Sequence, residues 1–185
     1  MEESEWDRGR VIGSCTVLDS ARFRYLLSKH CGVNVHNIHA YILGEHGDSE
    51  FAAWSMTHMG GIPWIEYCQI CKKCDKCSDV RANIEQQVKD SVYHIIRYKG
   101  STYFAVAMAL IEIIEAVLRG QNSVLTVSVL LKGEFGLENV CLSVPCIVTD
   151  EGVNEIIVGH LNESEQQHLV HSSDIINRAI KEIKK

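Results

Sequence analysis

Three polar side chains sit where their neighbours would hold them still. Asp19 and Arg22 are three residues apart in a stretch that reads as a helix, so they share one face of it. His46 stands in Gly44-Glu45-His46-Gly47-Asp48-Ser49-Glu50, among glycines that permit tight turns and the close approach of a ligand. An exposed imidazole exchanges its proton near neutral pH, which makes acid–base chemistry available. A carboxylate bonded to one ring nitrogen would fix the tautomer and stabilise the charged ring. Taken singly, the same residues also read as a surface ion pair worth under about 1 kcal/mol and a solvated histidine. Arg24 lies two residues beyond Arg22, about 200° around a helix, and so serves a different site.

A second constellation is CxxCxxCxxC, formed by Cys68, Cys71, Cys74 and Cys77, near the spacing of iron–sulfur or zinc ligands. On a helix, positions three apart drift by about 60° per step, so four sulfurs would span half the circumference and converge only if the segment were not helical. Ferredoxin runs end in a longer gap and a proline, whereas Ser78 follows Cys77 directly. We assign no metal to this run; a cysteine-dependent metal-binding module is the rival reading. Most of the eight cysteines are expected to be reduced thiols, because the composition can build an ordinary core and no secretory signal opens the chain.

These residues need a frame. With 185 residues, 46% hydrophobic, the chain suits one globular domain. A net charge of -6 argues against nucleic acid or an anionic membrane as partner. The apolar stretch 103–111 is too short to span a bilayer. A cytoplasmic setting is the expectation. Residues 1–10 are polar and aperiodic and are expected to be frayed, with the domain occupying 11–185. Thr16 with Asp19 predicts a capping box and a helix over 17–29, closed by Gly32. Alternation over 35–43 predicts one half-buried strand delivering the chain to the His46 loop. A long helix follows over 79–97, then an almost wholly apolar one over 103–118, expected to be the buried central helix. Strands over 124–131, 140–148 and 153–158 predict an antiparallel meander, and Asn162 with Glu165 starts a last helix. The class is α+β, an antiparallel sheet packed with long helices, with no GxGxxG turn for a dinucleotide.

The residues 13–24, Gly-Ser-Cys-Thr-Val-Leu-Asp-Ser-Ala-Arg-Phe-Arg, followed by the His46 stretch, closely resemble two signature stretches of L-lactate dehydrogenases in the lactate/malate dehydrogenase family. Lys99-Gly100-Ser101-Thr102-Tyr103-Phe104-Ala105, Asn122-Ser123-Val124-Leu125-Thr126-Val127-Ser128 and Leu142-Ser143-Val144-Pro145 fit in the same order. The resemblance runs from about Arg10 to the end. It implies the C-terminal catalytic domain fold, here without the NAD-binding Rossmann half. It also implies that His46, paired with Asp19, moves the proton on the substrate oxygen; that Arg22 grips the carboxylate of pyruvate or L-lactate; and that Thr102 lies at the substrate's methyl end. NAD is the implied cofactor, bound mainly outside this chain, and a homo-oligomer, usually a tetramer, the implied assembly. A relative acting on larger 2-hydroxy acids stays open. Arg24 and His39 match positions that bind fructose 1,6-bisphosphate across a subunit interface in bacterial allosteric members; a solvated arginine and a polar strand histidine are the alternative. Cys15 stands where the family usually has Gly.

Overall fold

The computed structural model describes residues 5–71, 73 and 77–183, which form an α+β domain whose sheets are all antiparallel. Along the chain come α1 (Val17–Cys31), β1 (Ile38–His39), β2 (Ile42–Leu43), β3 (Phe51–Ala52), β4 (His58–Met59), β5 (Ile62–Pro63), α2 (Trp64–Cys71) and α3 (Cys77–Lys99). Then follow α4 (Tyr103–Leu118), β6 (Ser123–Lys132), β7 (Glu138–Thr149), β8 (Gly152–Ile156) and α5 (Glu163–Ile183).

The strands β6, β7 and β8 pair in sequence order as a meander, as their β-branched runs and the turn at Asp150-Glu151-Gly152 predict. Its inward side chains, among them Val127, Val129, Leu131, Leu142, Val144 and Val148, build one core with Leu169 of α5 and with Ala109, Ile113 and Ala116 of α4. A second core joins Phe23 and Leu27 of α1 to Trp54, Trp64, Ile84 and Val88. There Phe23 meets Trp54 edge-on at 4.9 Å between ring centroids. The two cores flank α1, and α1 carries Asp19.

Helix boundaries follow the sequence signals closely. Gly32 closes α1 in the left-handed conformation, φ 72°, its N–H bonded to the Ser28 carbonyl. Asn162 and Glu165 exchange reciprocal side-chain-to-backbone bonds, each 3.0 Å, so the capping box of α5 is present. Cys15 has φ 23°, at the edge of the left-handed region that favours glycine.

Four expectations need correction. Thr16 does not cap α1, for no side-chain cap bond forms there; its hydroxyl is fully buried and donates to the Ile42 carbonyl at 2.7 Å. The single strand expected over 35–43 is a 3-10 turn at Val35–Asn37 followed by two-residue strands in two different sheets. Its ladder is interrupted because side chains take both polar groups of Ile42: the Ser20 hydroxyl accepts its N–H at 2.9 Å and Thr16 donates to its carbonyl. The apolar helix α4 buries only Ala109, Ile113 and Ala116, while Phe104 is 70% and Leu118 79% exposed. Finally, order begins before Val11. Arg8–Arg10 form a 3-10 turn against β8, where Arg8 donates to Glu134 at 2.8 Å and to the Leu130 carbonyl.

The cysteine run is helical at Cys68 and Cys71, and Cys68 is joined to Cys77 in a disulfide across the α2–α3 junction. Two of the four sulfurs are thereby unavailable as thiolate ligands, and Cys74 lies outside the described residues. Cys15, Cys71, Cys141 and Cys146 are thiols.

Candidate active site

The first turn of α1 and the loop 44–50 meet across β2, and buried hydroxyls lock them together. Besides the two bonds to Ile42, Ser20 and Thr126 share a hydroxyl–hydroxyl bond of 2.8 Å, and Thr126 donates to the Thr16 carbonyl at 3.2 Å. Each of these buried hydroxyls thus has a partner, which makes the register of α1 against β2 and β6 hard to change. The loop is tied from the other side. Gly44 exchanges both backbone bonds with Ser143 of β7, at 3.0 and 2.9 Å. Its φ is 99°, and a Cβ there would come within 2.6 Å of the Ser172 hydroxyl, so only glycine fits. Ser172 of α5 donates to the Ser49 carbonyl at 3.0 Å.

This scaffold brings Asp19 and His46 together. Asp19 is fully buried, and its two oxygens face two different cations: Arg22 Nη1 at 2.8 Å and His46 Nδ1 at 2.9 Å. The imidazole side chain is half exposed, so Nδ1 is anchored inside while the ring edge reaches the surface. A carboxylate in this position selects the Nδ1–H tautomer and favours the charged ring. The His46 pKa is accordingly pushed up to about 10, chiefly by the hydrogen bond to Asp19, then by Glu50, against a smaller opposing effect of burial.

Glu50 escaped the sequence reading. It is only 6% exposed, and its Oε2 lies 3.7 Å from His46 Nδ1. Burial holds its carboxyl above the usual carboxylate range, offset in part by His46. A signal was present: Glu50 is four residues past His46 and immediately precedes Phe51-Ala52-Ala53-Trp54, an apolar run that must enter the core. The groups of Asp19, His46 and Glu50 that could ligate a metal lie within 4.8 Å of one another. Both carboxylates address the same imidazole nitrogen, however, and Asp19 is also paired with Arg22, an arrangement that holds a proton rather than a cation.

A pocket of about 200 Å³ opens beside the ring, lined by His46, Gly47, Asp48, Glu50 and, from α3, Lys89, Val92 and Tyr93. Asp48 is held to α3 by Tyr93, whose hydroxyl donates to its carboxylate at 3.1 Å, and by Lys89, which donates to its carbonyl at 3.0 Å. Arg22 Nη2 is buried without a hydrogen-bond partner, and Arg22 lines a separate pocket with Tyr25, Leu26 and His94, not this one. Thr102 caps α4 by position, without a side-chain cap bond, and is not among the residues lining this pocket. Arg24 does face away from Arg22. It lines a separate cavity of about 500 Å³ with His36, His39, Tyr41, Glu112 and Gln121, and its Nη2 lies 3.9 Å from Glu112. Burial lowers the Arg24 pKa from its ordinary value and raises that of Tyr41.

Residues 16–185 match the lactate/malate dehydrogenase alpha/beta C-terminal domain. Among curated relatives, the chain is 54% identical over 183 residues to an L-lactate dehydrogenase of Treponema denticola, covering 99% of this chain and 58% of the relative. It is 50% identical over 178 residues to an L-lactate dehydrogenase of Acetivibrio thermocellus, covering 96% and 56%. A solved lactate dehydrogenase from a Medee basin deep-sea metagenome library superposes with a TM-score of 0.95 at 36% identity, over 100% of this chain and 58% of that one. The minor L-lactate dehydrogenase of Enterococcus mundtii, in its ligand-bound form, gives 0.92 at 36% identity, over 98% and 57%. The chain thus spans somewhat more than half the length of the relatives it matches. Family match and fold agree, and the chain belongs to the lactate/malate dehydrogenase family as its alpha/beta C-terminal domain.

Proposed function

We propose that this chain supplies the substrate-binding and proton-transfer residues of an L-lactate dehydrogenase, interconverting pyruvate and L-lactate. The observation that carries this reading is Asp19 bonded on one side to Arg22 and on the other to His46. In the reduction, His46 gives a proton to the carbonyl oxygen, and Asp19 holds the ring in the tautomer that presents it. Arg22 binds the carboxylate through its remaining donors in a charge-assisted, two-pronged pair. Thr102 is given the methyl end by the family resemblance alone, since it does not line the pocket beside His46. The ring's high proton affinity means that it enters the encounter loaded with the proton a keto acid needs.

The residues of this chain do not fit a dinucleotide. The pocket beside His46 holds only about 200 Å³, and no glycine-rich phosphate turn occurs in the sequence. NAD, the hydride carrier that the family reading implies, would be held mainly by the part of the relatives with no counterpart in this chain. A cytoplasmic setting and a homo-oligomer, a tetramer in intact members, go with this reading. The larger 2-keto acids are the alternative substrates.

The test joins this chain to the remaining part of the Treponema denticola relative and follows NADH oxidation with pyruvate. Activity is expected; Arg22→Lys should raise KM and lower kcat, and His46→Asn should nearly abolish turnover with NADH binding intact. Unchanged pyruvate kinetics in either variant would remove the role given to that residue. A regulatory reading is favoured by the separate cavity: Arg24 and His39 sit together in about 500 Å³ and would take the phosphates of fructose 1,6-bisphosphate, with a second subunit doubling the cations. Activation of the joined protein by that sugar, lost in Arg24→Ala, checks it.

A further inference from the structure

Two carboxylates, not one, converge on the inner nitrogen of His46. Asp19 Oδ2 is at 2.9 Å and Glu50 Oε2 at 3.7 Å. Asp19 has a second cation in Arg22, 2.8 Å away. Glu50 Oε2 is buried and makes no hydrogen bond, so its close counter-charge is the imidazole. We infer that Glu50 is a second positioning residue for His46, one whose own charge is held in the core by the proton on that ring. This rests on the reading of His46 as the proton-transfer group.

The surrounding charges define the effect. From α1 come Asp19 and Arg22; from the loop, Glu45 and Asp48; from α3, Lys89 and Tyr93. Glu45 accepts the Ser49 hydroxyl, Asp48 accepts the Tyr93 hydroxyl, and Lys89 is bonded to the Asp48 carbonyl while acting on Glu50 only through space. When the ring gives up its proton, Asp19 and Glu50 face each other across a neutral imidazole in a water-poor setting. That state is disfavoured by repulsion between like charges and by the cost of a buried carboxylate without a partner. Glu50 therefore strengthens the ring's hold on its proton. Asp19, the nearer carboxylate, fixes the nitrogen that carries it and does most to hold it; Glu50 adds to that hold. A family member with a neutral residue at this position would surrender the proton at lower pH.

Imidazole carbon and nitrogen NMR of this chain, titrated from pH 5 to pH 11, tests the inference without any substrate. His46 in the unmodified chain should titrate far above an ordinary histidine, whose midpoint is about 6.5. In Glu50→Gln, which keeps shape and volume, the midpoint should fall by about one pH unit or more, with the Nδ1–H tautomer unchanged. Glu50→Asp, which withdraws the carboxylate by one methylene, should give an intermediate value and serves if Gln disturbs the fold. Asp19→Asn should lower the midpoint further and alter the tautomer as well. A His46 midpoint that does not move in Glu50→Gln and Glu50→Asp overturns the inference, as does an ordinary midpoint in the unmodified chain. Failure of the joined protein to reduce pyruvate would sink the dehydrogenase reading and leave this titration result standing.

Discussion

The loop that carries His46 and the helix α4 are built on opposite terms. On the loop side, polar groups are buried and satisfied: Thr16, Ser20 and Thr126 tie α1 to β2 and β6, and Gly44 is fixed between β7 and α5. On the side of α4, apolar groups are exposed: Phe104, Met108, Ile111 and Leu118 all face solvent in this chain. The contrast separates two kinds of completeness. The hydroxyls of Thr16, Ser20 and Thr126 find their partners within this chain. The apolar wall has no partner among the described residues, and contiguous exposed apolar surface of this kind marks a place where another surface packs.

Three measurements would break or sharpen that contrast. The largest effect is expected at Gly44→Ala, where positive φ and the Ser172 hydroxyl leave no room for a Cβ. Denaturant unfolding should show a loss of about 3 kcal/mol, and a loss below about 1 kcal/mol would mean that the loop is not fixed as described. An intermediate effect is expected from pH. The folded pKa of His46 is raised from 6.5 to about 10, so the native state binds more protons than the unfolded state between those values. The stabilisation is fully present below pH 6.5 and should be lost as pH rises through about 10, and His46→Gln should flatten that decline. The smallest effect is expected at Phe104→Gln on α4, where stability should change by no more than about 0.5 kcal/mol. A larger loss would show that α4 is covered in solution.

How much of this was legible in the sequence depended on whether the cause was local. The end of α1 and the start of α5 were legible because Gly32 and the Asn162–Glu165 pair act within one turn of chain. The meander was legible because β-branched alternation and a tight turn are also local. Thr16 was misread because its hydroxyl serves Ile42, 26 residues away, in place of its own helix. The strand over 35–43 failed for the same reason seen from the other end. The burial of α4 was misjudged because an all-round apolar composition records that a helix is to be covered, without saying by what. At the site, Asp19, Arg22 and His46 came from residue type and resemblance, and the geometry supplied their contacts. Glu50 stayed hidden because a glutamate in a glycine-rich loop is normally solvated, and the sign of its burial lay in the apolar run 51–54 that follows it.

The carboxylate of Glu165 does more than cap a helix. It also receives the backbone N–H of Ser55 at 3.0 Å and the Ser55 hydroxyl, so one side chain joins the start of α5 to the turn at Trp54–Met56. The same α5 presents Ser172 to the His46 loop. Opening the first turn of α5 therefore releases a second element at once, and the backbone amides of Ser55 and Asn162 should trade their hydrogens for deuterium as one cooperative unit.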